Sequence, residues 1–459
     1  MLNHHKLVCF IFAVLISGCH TTATATAVNL ENRSFSLVNV NVIDVQAKRI
    51  RYNQHVCVVD GIIVQLSENK CLNNNAKQID GNGGYLTPGL IDMHVHMFEK
   101  EGLVFSLSHG VTHVRVMNGV SAQLKWRDDA EQGKILSSTA SVSSPIISGY
   151  EDAVLHHGLS SPEKARQAVA NYHGHGYDLI KVYNNLNSET FSALMRESRL
   201  LGIPVAKHAP DVPKPLDIVN YKDMQSFEHV EDIFYAALNR KMDIEALTPF
   251  IEKIKTIGVP ITPTLNVFDQ LTKLSSEKET FLNLQPEHYI STIVKLDDKR
   301  NQVNRWLKSS EQKAKYNKQV LSFLLSITKA LHDSDIPLLI GTDSGNLLSP
   351  HGLATHNEMR LFYEAGISTF DILKAATYNA ARALKLDKQI GQIKEGFYAD
   401  FIFTQGDPTK DLQQLEKPEA VAKRGIWLNR KNLENLRVEA EKSKSLWSEL
   451  RIYSEMLTR

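Results

Sequence analysis

From residue 89 to residue 343 the sequence repeats one unit, a short apolar segment followed by a longer polar segment with helical periodicity. This alternation is typical of βαβ units, in which successive strands lie parallel in one sheet. Eight apolar segments can be distinguished: 90–94, 111–117, 141–147, 179–183, 205–208, 225–229, 259–264 and 337–343. Eight such units predict an α/β fold of the (β/α)₈ TIM-barrel type, with functional residues at the carboxyl ends of the strands.

The segments on either side of this region have a different pattern. Residues 35–79 alternate apolar and polar side chains with a period of two, which indicates antiparallel strands, and residues 399–403 resume strand character. We therefore predict a small β-sandwich domain formed by residues 35–87 and 396–430, a barrel over 88–395 and a C-terminal helix over 431–459. The charged insertion 269–335 is compatible with an outer helix pair or with a lid over the barrel mouth.

Composition excludes several classes of protein. The chain has 52 basic and 51 acidic side chains, a balance that argues against a nucleic-acid partner. Its 42% hydrophobic content is ordinary, which excludes a disordered chain and a multi-span membrane protein. A small-molecule substrate is the expected partner, and a homo-oligomer is compatible with the sequence.

The N-terminus has the features of an export signal. Lys6 supplies a positive charge before the apolar run 7–18, and Ser17-Gly18-Cys19 resembles the cleavage site of a bacterial lipoprotein. This resemblance implies a signal peptide over 1–18, lipidation of Cys19, a tether over 19–34 and a lipid-anchored protein of the periplasm or outer membrane. The alternative is an ordinary secretory signal cut within 23–27.

The cysteine content restricts the chemistry of any metal site. Cys57 and Cys71 remain after the leader, and in an oxidising compartment they form a disulfide or stay as two thiols. Two cysteines without a CxxC spacing do not make a thiolate metal site, so metal ligands would be histidine and carboxylate.

Metal-ligating residue types fall at five of the predicted strand ends. His94 and His96 end the first strand, and residues i and i+2 of a strand point to the same side, so both imidazoles can reach one ion. The later candidates are Lys181, His208, His229 and Asp343. Each one alone has a structural interpretation as a buried histidine, a lysine that extends to solvent or a turn aspartate. Their common position at strand ends favours a metal centre.

This series resembles the amidohydrolase superfamily of the binuclear type. Further stretches that resemble this family are 83–89, 110–112, 375–377, 379–381, 391–396 and 399–400. Within the superfamily the chain is most similar to the lysine-bridged, imidazolonepropionase-like group that includes Xaa-Pro dipeptidases.

The resemblance implies two divalent metal ions and a carboxylated Lys181 that bridges them. His94, His96 and Asp343 would complete one site, and His208 with His229 the other. Zn²⁺ is the expected metal, and manganese, cobalt and iron are compatible with the same ligands. A hydroxide between the ions would attack a carbonyl carbon, and Asp343 would act as ligand and proton shuttle.

Candidate substrate-binding residues lie near the same strand ends. Related dipeptidases carry a glycine-glycine-histidine turn where this chain has Ser148-Gly149-Tyr150-Glu151, so Tyr150 or a nearby histidine would have to replace it. The candidates are Tyr183, Arg115, Tyr150, His156, His157 and His351. Tyr183 and Arg115 are equally compatible with structural roles.

The function implied is hydrolysis of carbon–nitrogen bonds in small substrates such as dipeptides or N-acyl amino acids. Cyclic amide or lactone opening and phosphotriester hydrolysis are alternatives, because the same two-metal hydroxide attacks those centres. A single-metal deaminase is disfavoured by Lys181. A non-catalytic binding lipoprotein is the alternative from a different class.

Overall fold

The computed structural model describes residues 33–71, 77–210 and 219–457. The predicted signal peptide 1–18, Cys19 and all but the last two residues of the predicted tether 19–34 lie outside these ranges. Every helix within them is too short or too polar to span a bilayer.

The strands form a flanking mixed sheet and a separate set of parallel strands. They are β1 (Phe35–Asp44), β2 (Arg49–Val59), β3 (Ile62–Ser67), β4 (Lys77–Asp80), β5 (Tyr85–Pro88), β6 (Leu90–Val95), β7 (Val111–Val116), β8 (Thr139–Val142), β9 (Ile146–Ser148), β10 (His156–Gly158), β11 (Ile180–Val182), β12 (Val205–His208), β13 (Ser226–Glu228), β14 (Ile261–Thr262), β15 (Phe401–Thr404), β16 (Ala420–Lys423) and β17 (Ile426–Asn429).

Helices connect the parallel strands and close the chain. They are α1 (Glu101–Ser108), α2 (Ser121–Glu131), α3 (Pro162–Gly174), α4 (Ser188–Leu201), α5 (Val230–Asp232), α6 (Thr248–Ile257), α7 (Leu265–Glu277), α8 (Glu279–Leu284), α9 (Thr292–Arg300), α10 (Gln302–Leu307), α11 (Glu311–Asp333), α12 (Leu353–Glu364), α13 (Thr369–Ala375), α14 (Tyr378–Ala383), α15 (Arg430–Ser443) and α16 (Leu446–Leu457). A π-helix, Ile233–Ala237, continues α5.

The parallel strands form a TIM-barrel-type arrangement. One ladder has the order β6-β7-β8 and the other β10-β9-β11-β12-β13-β14. Parallel bridges join the ladders and the segment 337–344 at Ser143–Leu179, Ile261–Leu338 and Val95–Ser344. The pairings thus pass through eight segments and return to β6. Every residue of β6 and β7 is buried, as expected for strands covered on both faces.

The third predicted strand, 141–147, is not continuous. The chain runs as β8, leaves the ladder at Pro145 and continues as β9, which pairs with β11. Proline has no backbone N–H to donate, so it interrupts the ladder at this point. The pairing of β10 beside β9 was not predicted.

The flanking domain differs in detail from the predicted β-sandwich. Its strands form one eight-stranded sheet in the order β17-β16-β15-β5-β1-β2-β3, with β4 paired to β1. Because β5 pairs with both β1 and β15, strands from the two ends of the chain are hydrogen-bonded neighbours. The sheet folds back so that Ile62 of β3 bridges Tyr398, and Cys57 and Cys71 form a disulfide.

The C-terminal segment 431–459, predicted as one helix, contains two. The helical run ends at Ser443, where Lys444 adopts extended backbone angles and turns inward. Its Nζ lies 2.7 Å from a carboxylate oxygen of Glu99 and donates to the carbonyl of Ile290. The second helix, α16, buries Glu449, whose carboxylate accepts hydrogen bonds near the start of α9. The inward lysine explains the break between the two helices.

The insertion between the seventh and eighth segments is helical throughout α7 to α11. The long helix α11 packs along α7, and Phe323 of α11 contacts Phe234 of the π-helix with ring centroids 5.7 Å apart. This packing agrees with the outer helix pair.

Candidate active site

Three residues from the first and last segments of the ring meet at its carboxyl end. The Nε2 atom of His96 lies 2.8 Å from Oδ1 of Asp343, and Nε2 of His94 lies 3.7 Å from the same oxygen. One ligand atom from each residue falls within 4.8 Å of the others. This spacing allows the three side chains to hold one cation.

Two more imidazoles continue this cluster along the strand ends. The ring of His229 lies 4.7 Å from that of His94, and the ring of His208 lies 4.3 Å from that of His229, centroid to centroid. Both His229 (φ 70°) and Asp343 (φ 56°) adopt left-handed backbone angles. Such angles cost on the order of 1–3 kcal/mol each, and they accumulate at functional sites because they aim a side chain that the regular strand would misdirect.

Burial keeps these imidazoles neutral. It lowers the pKa of His229 to about 3 and holds the pKa of His94 and His208 well below the usual range, with the charge of Lys181 or a neighbouring histidine adding to the effect. A neutral imidazole keeps a lone pair on one ring nitrogen, and that lone pair is what a metal ion binds.

Lys181 lies in the same cluster and has no protein partner. Its side chain is 1% exposed, and its Nζ makes no hydrogen bond with the described residues. Burial lowers the pKa of this amine to about 8, although Glu228 and Asp343 oppose the effect. A buried amine without a partner is costly, so the site favours a state of Lys181 in which the nitrogen is neutral or modified.

A buried ion pair fixes the orientation of His94. Nδ1 of His94 lies 2.7 Å from Oε2 of Glu228, and Oε1 of Glu228 lies 2.7 Å from NH2 of Arg115. Burial opposes the charge on Glu228, but Arg115 outweighs it and lowers the pKa of this carboxyl. The ionised carboxylate therefore accepts a hydrogen bond from Nδ1–H of His94, which leaves Nε2 unprotonated and facing Asp343.

Arg115, a candidate for substrate contact, is buried and bonded to other protein groups. The residue is 0% exposed, and its guanidinium also donates to the carbonyl of Met93, to Gln225 and to Ser226. Its donors are thus occupied within the protein, so it supports Glu228 from below the site.

The other two histidine ligand candidates are oriented in the same manner. Nδ1 of His208 lies 2.7 Å from Oδ2 of Asp232, and Nδ1 of His229 lies 2.7 Å from the hydroxyl of Thr264. Each contact leaves Nε2 as the free ring nitrogen. Fixing the tautomer through the second nitrogen is the usual way proteins orient a histidine ligand.

Asp92 is a further buried carboxylate that sequence reasoning did not assign. It accepts hydrogen bonds from the hydroxyls of Thr342 and Thr355 and from the backbone N–H of His94. Burial raises its pKa to about 6. These contacts tie the first strand to the eighth segment and so fix the separation of His94 and Asp343. Its place two residues before His94, on the same side of the strand, was the available signal.

Three of the predicted substrate residues lie together beside the cluster. The ring of Tyr183 lies 3.9 Å from that of His208 and 4.9 Å from that of His156. Tyr150, on the loop after β9, is exposed, and its backbone N–H donates to the hydroxyl of Ser148, which also lies 3.1 Å from Nδ1 of His156. This group forms one wall at the carboxyl end of β11.

The other two predicted substrate histidines, His157 and His351, have contacts with protein groups. Nδ1 of His157 lies 2.7 Å from the hydroxyl of Tyr172 on α3, which directs the ring towards the outer helix. His351 is buried, with Nδ1 2.9 Å from the hydroxyl of Ser344 and its ring against Gly102. One ring nitrogen of each histidine is thus engaged within the protein, and a substrate contact for either stays a prediction.

Glu231 is an acidic residue near the site that the sequence reading missed. It follows His229 by two residues, and burial together with the charges of Asp232 and Asp343 raises its pKa to about 8. The signal was the pair Glu231-Asp232 placed directly after a strand-end histidine.

Comparisons with known proteins agree with this geometry. Residues 247–426 match the model of the family described as "Amidohydrolase family". The chain carries an amidohydrolase family domain. Among curated proteins, it is similar to the imidazolonepropionase of Picrophilus torridus, with 23% identity over 397 residues, 79% of this chain and 88% of that protein. The imidazolonepropionase of Idiomarina loihiensis is 26% identical over 347 residues, 71% of this chain and 78% of that protein. The sequence-based recognition of an amidohydrolase is confirmed.

Solved structures show the same fold. A bottromycin amidohydrolase superposes with a TM-score of 0.73 at 23% identity, covering 89% of this chain and 91% of that one. A prolidase described as putative, from Bifidobacterium longum, gives a TM-score of 0.67 at 22% identity, with 89% and 98% covered. A Xaa-Pro dipeptidase with bound methionine gives 0.67 at 19% identity, with 86% and 100% covered. The chain therefore has a TIM-barrel-type α/β fold with a flanking domain.

Proposed function

We propose that this protein is a metal-dependent amidohydrolase that cleaves carbon–nitrogen bonds of small substrates such as dipeptides or N-acyl amino acids. One observation carries the proposal: six side chains from five separate segments converge at the carboxyl end of the ring, and one of them is a buried amine without a partner. A structural cluster would pair such an amine, because an unpaired buried charge is costly.

The residues fit a two-cation centre. His94, His96 and Asp343 would hold one cation, and His208 with His229 the second, all through nitrogen and oxygen atoms that suit Zn²⁺. Reaction of the neutral Lys181 amine with CO₂ would release one proton and form a carbamate, whose single negative charge is shared by two oxygens that would serve as cation ligands. Bound cations would supply Lewis-acid polarisation of the scissile carbonyl and lower the pKa of a water molecule.

Asp343 is placed to move the proton that hydrolysis requires. Its Oδ1 lies 2.8 Å from Nε2 of His96 and accepts a hydrogen bond from Asn346, while Oδ2 has no contact with the described residues. Burial opposes ionisation, but the contacts with His96 and His94 outweigh it and hold the pKa of Asp343 well below its usual range. The ionised Oδ2 can take a proton from water and return it to the departing nitrogen, so amide and water become acid and amine.

The other residues position this exchange. Glu228 holds His94 through its Nδ1, and Asp232 holds His208 in the same way. Tyr183 covers His208 and forms the wall against which a substrate would pack.

The test is a hydrolysis panel with the zinc-loaded full chain. Dipeptides and N-acyl amino acids should be hydrolysed, and activity should fall on chelation and return with zinc. Lactones and phosphotriesters belong in the same panel, because preferential turnover of either would replace the amide proposal. Failure of every substrate class with metal-loaded, folded protein would favour a non-catalytic binding lipoprotein.

We further propose that the protein is exported and anchored through a lipid on Cys19. The Cys57–Cys71 disulfide supports an oxidising compartment. Mass spectrometry of the mature chain should find an N-terminal lipidated Cys19, and an unmodified Cys19 would contradict the anchor.

A further inference from the structure

The two oxygens of the Asp343 carboxylate have different surroundings. Oδ1 lies 2.8 Å from Nε2 of His96 and 3.7 Å from Nε2 of His94, so it is the oxygen on the side of the proposed metal ligands. Oδ2 makes no hydrogen bond or ion pair with the described residues. The proposed function needs this asymmetry, because one oxygen would serve as a ligand and the other would carry the proton.

A side chain outside the ligand cluster distinguishes these two oxygens. The side-chain nitrogen Nδ2 of Asn346 donates to Oδ1 of Asp343 at 2.8 Å. The oxygens of a carboxylate are chemically equivalent, and the torsion that exchanges them, χ2 of aspartate, is broad and roughly two-fold. A donor on one oxygen therefore favours one of the two orientations. A histidine that holds a cation through Nε2 has no proton on that atom, so in the proposed centre Asn346 is the described residue that still donates to Oδ1.

The backbone that carries Asn346 is a short loop closed on itself. The N–H of Gly345 donates to the carbonyl of Ser349 at 3.0 Å, and the N–H of Ser349 donates to the carbonyl of Asn346 at 2.9 Å. Asn266 in α7 donates through its side chain to the hydroxyl of Ser349 and to the carbonyl of Thr342. These bonds hold the loop at a fixed position beside the carboxyl end of the eighth segment.

The same loop adopts costly backbone angles. Leu347 (φ 48°) and Leu348 (φ 57°) are buried in the left-handed region, which leucine disfavours. At Gly345 (φ 91°) an added Cβ would lie 1.9 Å from the carbonyl oxygen of His96. Strained residues persist where the surrounding structure holds them, and they accumulate where a side chain must be aimed. The side chain that this loop directs at the site is that of Asn346.

We infer that Asn346 is a positioning residue for Asp343, and that its side-chain N–H keeps Oδ1 on the ligand side and leaves Oδ2 for the proton. This inference rests on the proposed function. Asn346 acts through Asp343 and not on the substrate, so its loss should lower kcat and leave KM unchanged. Groups that orient a metal ligand typically contribute about 10–100-fold in metal affinity or activity.

Asn346→Leu tests the donor separately from the packing, because leucine has nearly the shape of asparagine and no side-chain N–H. Cobalt-loaded protein gives a readout without turnover, since the visible absorption of Co²⁺ depends on the arrangement of its ligands. At saturating cobalt, Asn346→Leu should keep the metal content of the wild type and change this spectrum. Asn171→Leu, which replaces an exposed asparagine on α3, is the matched control and should keep the wild-type spectrum.

Steady-state kinetics then measure the effect on the reaction. With the best dipeptide or N-acyl amino acid of the hydrolysis panel, kcat of Asn346→Leu should fall about 10–100-fold at unchanged KM. Asn346→Ala should lose as much, and it is the variant to measure if Asn346→Leu does not fold. A packing role predicts instead that Asn346→Leu, which fills the same space, keeps the wild-type kcat.

The two proposals fail in different ways. A wild-type kcat or an unchanged cobalt spectrum in Asn346→Leu overturns the role of Asn346, even when amides are hydrolysed. A fall in kcat that only follows a loss of bound metal or of the fold in both variants also overturns it, because the residue is then structural. A changed cobalt spectrum in Asn346→Leu with no hydrolysis of any amide by the wild type overturns the amidohydrolase proposal and leaves the contact with Asp343 in place.

Discussion

Replacing Arg115 by methionine should destabilise the fold and weaken metal binding together. The guanidinium is 0% exposed and makes four hydrogen bonds, one of them the 2.7 Å contact with Glu228. Arg115→Met leaves the carboxylate of Glu228 buried without a cation, and breaking a buried pair in this way costs about 3–5 kcal/mol. The entropy of unfolding, ~2.1 cal/mol/K per residue, amounts to roughly 1 kcal/mol/K for this chain of 459 residues, so Tm should fall by about 3–5 °C.

Thermal unfolding followed by circular dichroism measures this effect. Arg127→Met is the matched control, because Arg127 forms a partly exposed ion pair with Asp178 at 3.0 Å, and such pairs contribute about 0–1 kcal/mol. Adding Glu228→Gln to Arg115→Met should restore part of the stability, because the orphan charge is gone. Zinc affinity of the single variant should fall about 10–100-fold, since His94 loses the charged partner that orients it.

Two outcomes would refute this reasoning. If the Tm of Arg115→Met equals that of the wild type, the ion pair between Arg115 and Glu228 contributes nothing to stability. A double variant that loses the full sum of both single effects would show that Arg115 and Glu228 act independently.

Three further predictions concern other parts of the molecule. Asp343→Asn should lower kcat about 10²–10⁴-fold with a smaller loss of bound metal, measured by steady-state kinetics and metal analysis, because the amide keeps a ligand oxygen but cannot carry the proton; equal losses of both would contradict this. Replacing Cys57 and Cys71 by serine should lower the free energy of unfolding by about 3 kcal/mol in urea titrations, since the bridge closes a loop with a sequence separation of 14; an unchanged urea midpoint would contradict this. Burial raises the pKa of Glu99 from 4.5 to about 8, although Lys444 opposes the effect, so between these pH values the folded state binds more protons than the unfolded state. The free energy of unfolding should therefore fall as pH rises through this window, by at most about 1.4 kcal/mol per pH unit. If Glu99→Gln shows the same pH dependence of stability as the wild type, Glu99 is not its cause.

Sequence periodicity was sufficient to predict which ligand types would meet. The alternation of His94 and His96 places both imidazoles on one side of a strand, and the parallel repeat places the ends of distant strands at one edge. These two rules depend only on backbone geometry, which the pattern of apolar residues encodes. The structure accordingly brings His94, His96 and Asp343 within 4.8 Å of one another.

The partners of buried polar groups were less predictable. The sequence places Arg115 on a buried strand, but the choice between a substrate and Glu228 depends on contacts 113 residues away in the chain. His351 likewise follows Asp343 closely yet is held by Ser344 and α1. Such pairings arise from tertiary packing, and no local pattern reports them.

Backbone irregularities were also invisible in the pattern. The left-handed conformations of His229 and Asp343 aim their side chains inward, although neither residue type demands such angles. The break at Lys444 depends on a buried carboxylate, Glu99, far away in sequence. Pro145 is the exception, because its missing N–H marks the interruption between β8 and β9 directly.

The central claim is a pair of cations held by the strand-end cluster, with Lys181 between them. The most direct measurement is the zinc content per chain, by mass spectrometry of the metal, after loading and desalting wild type and Lys181→Ala. The account predicts roughly two zinc ions per wild-type chain and a loss of most of them in Lys181→Ala with the fold retained. Wild-type protein without bound zinc, or a variant that keeps the full complement, would contradict it.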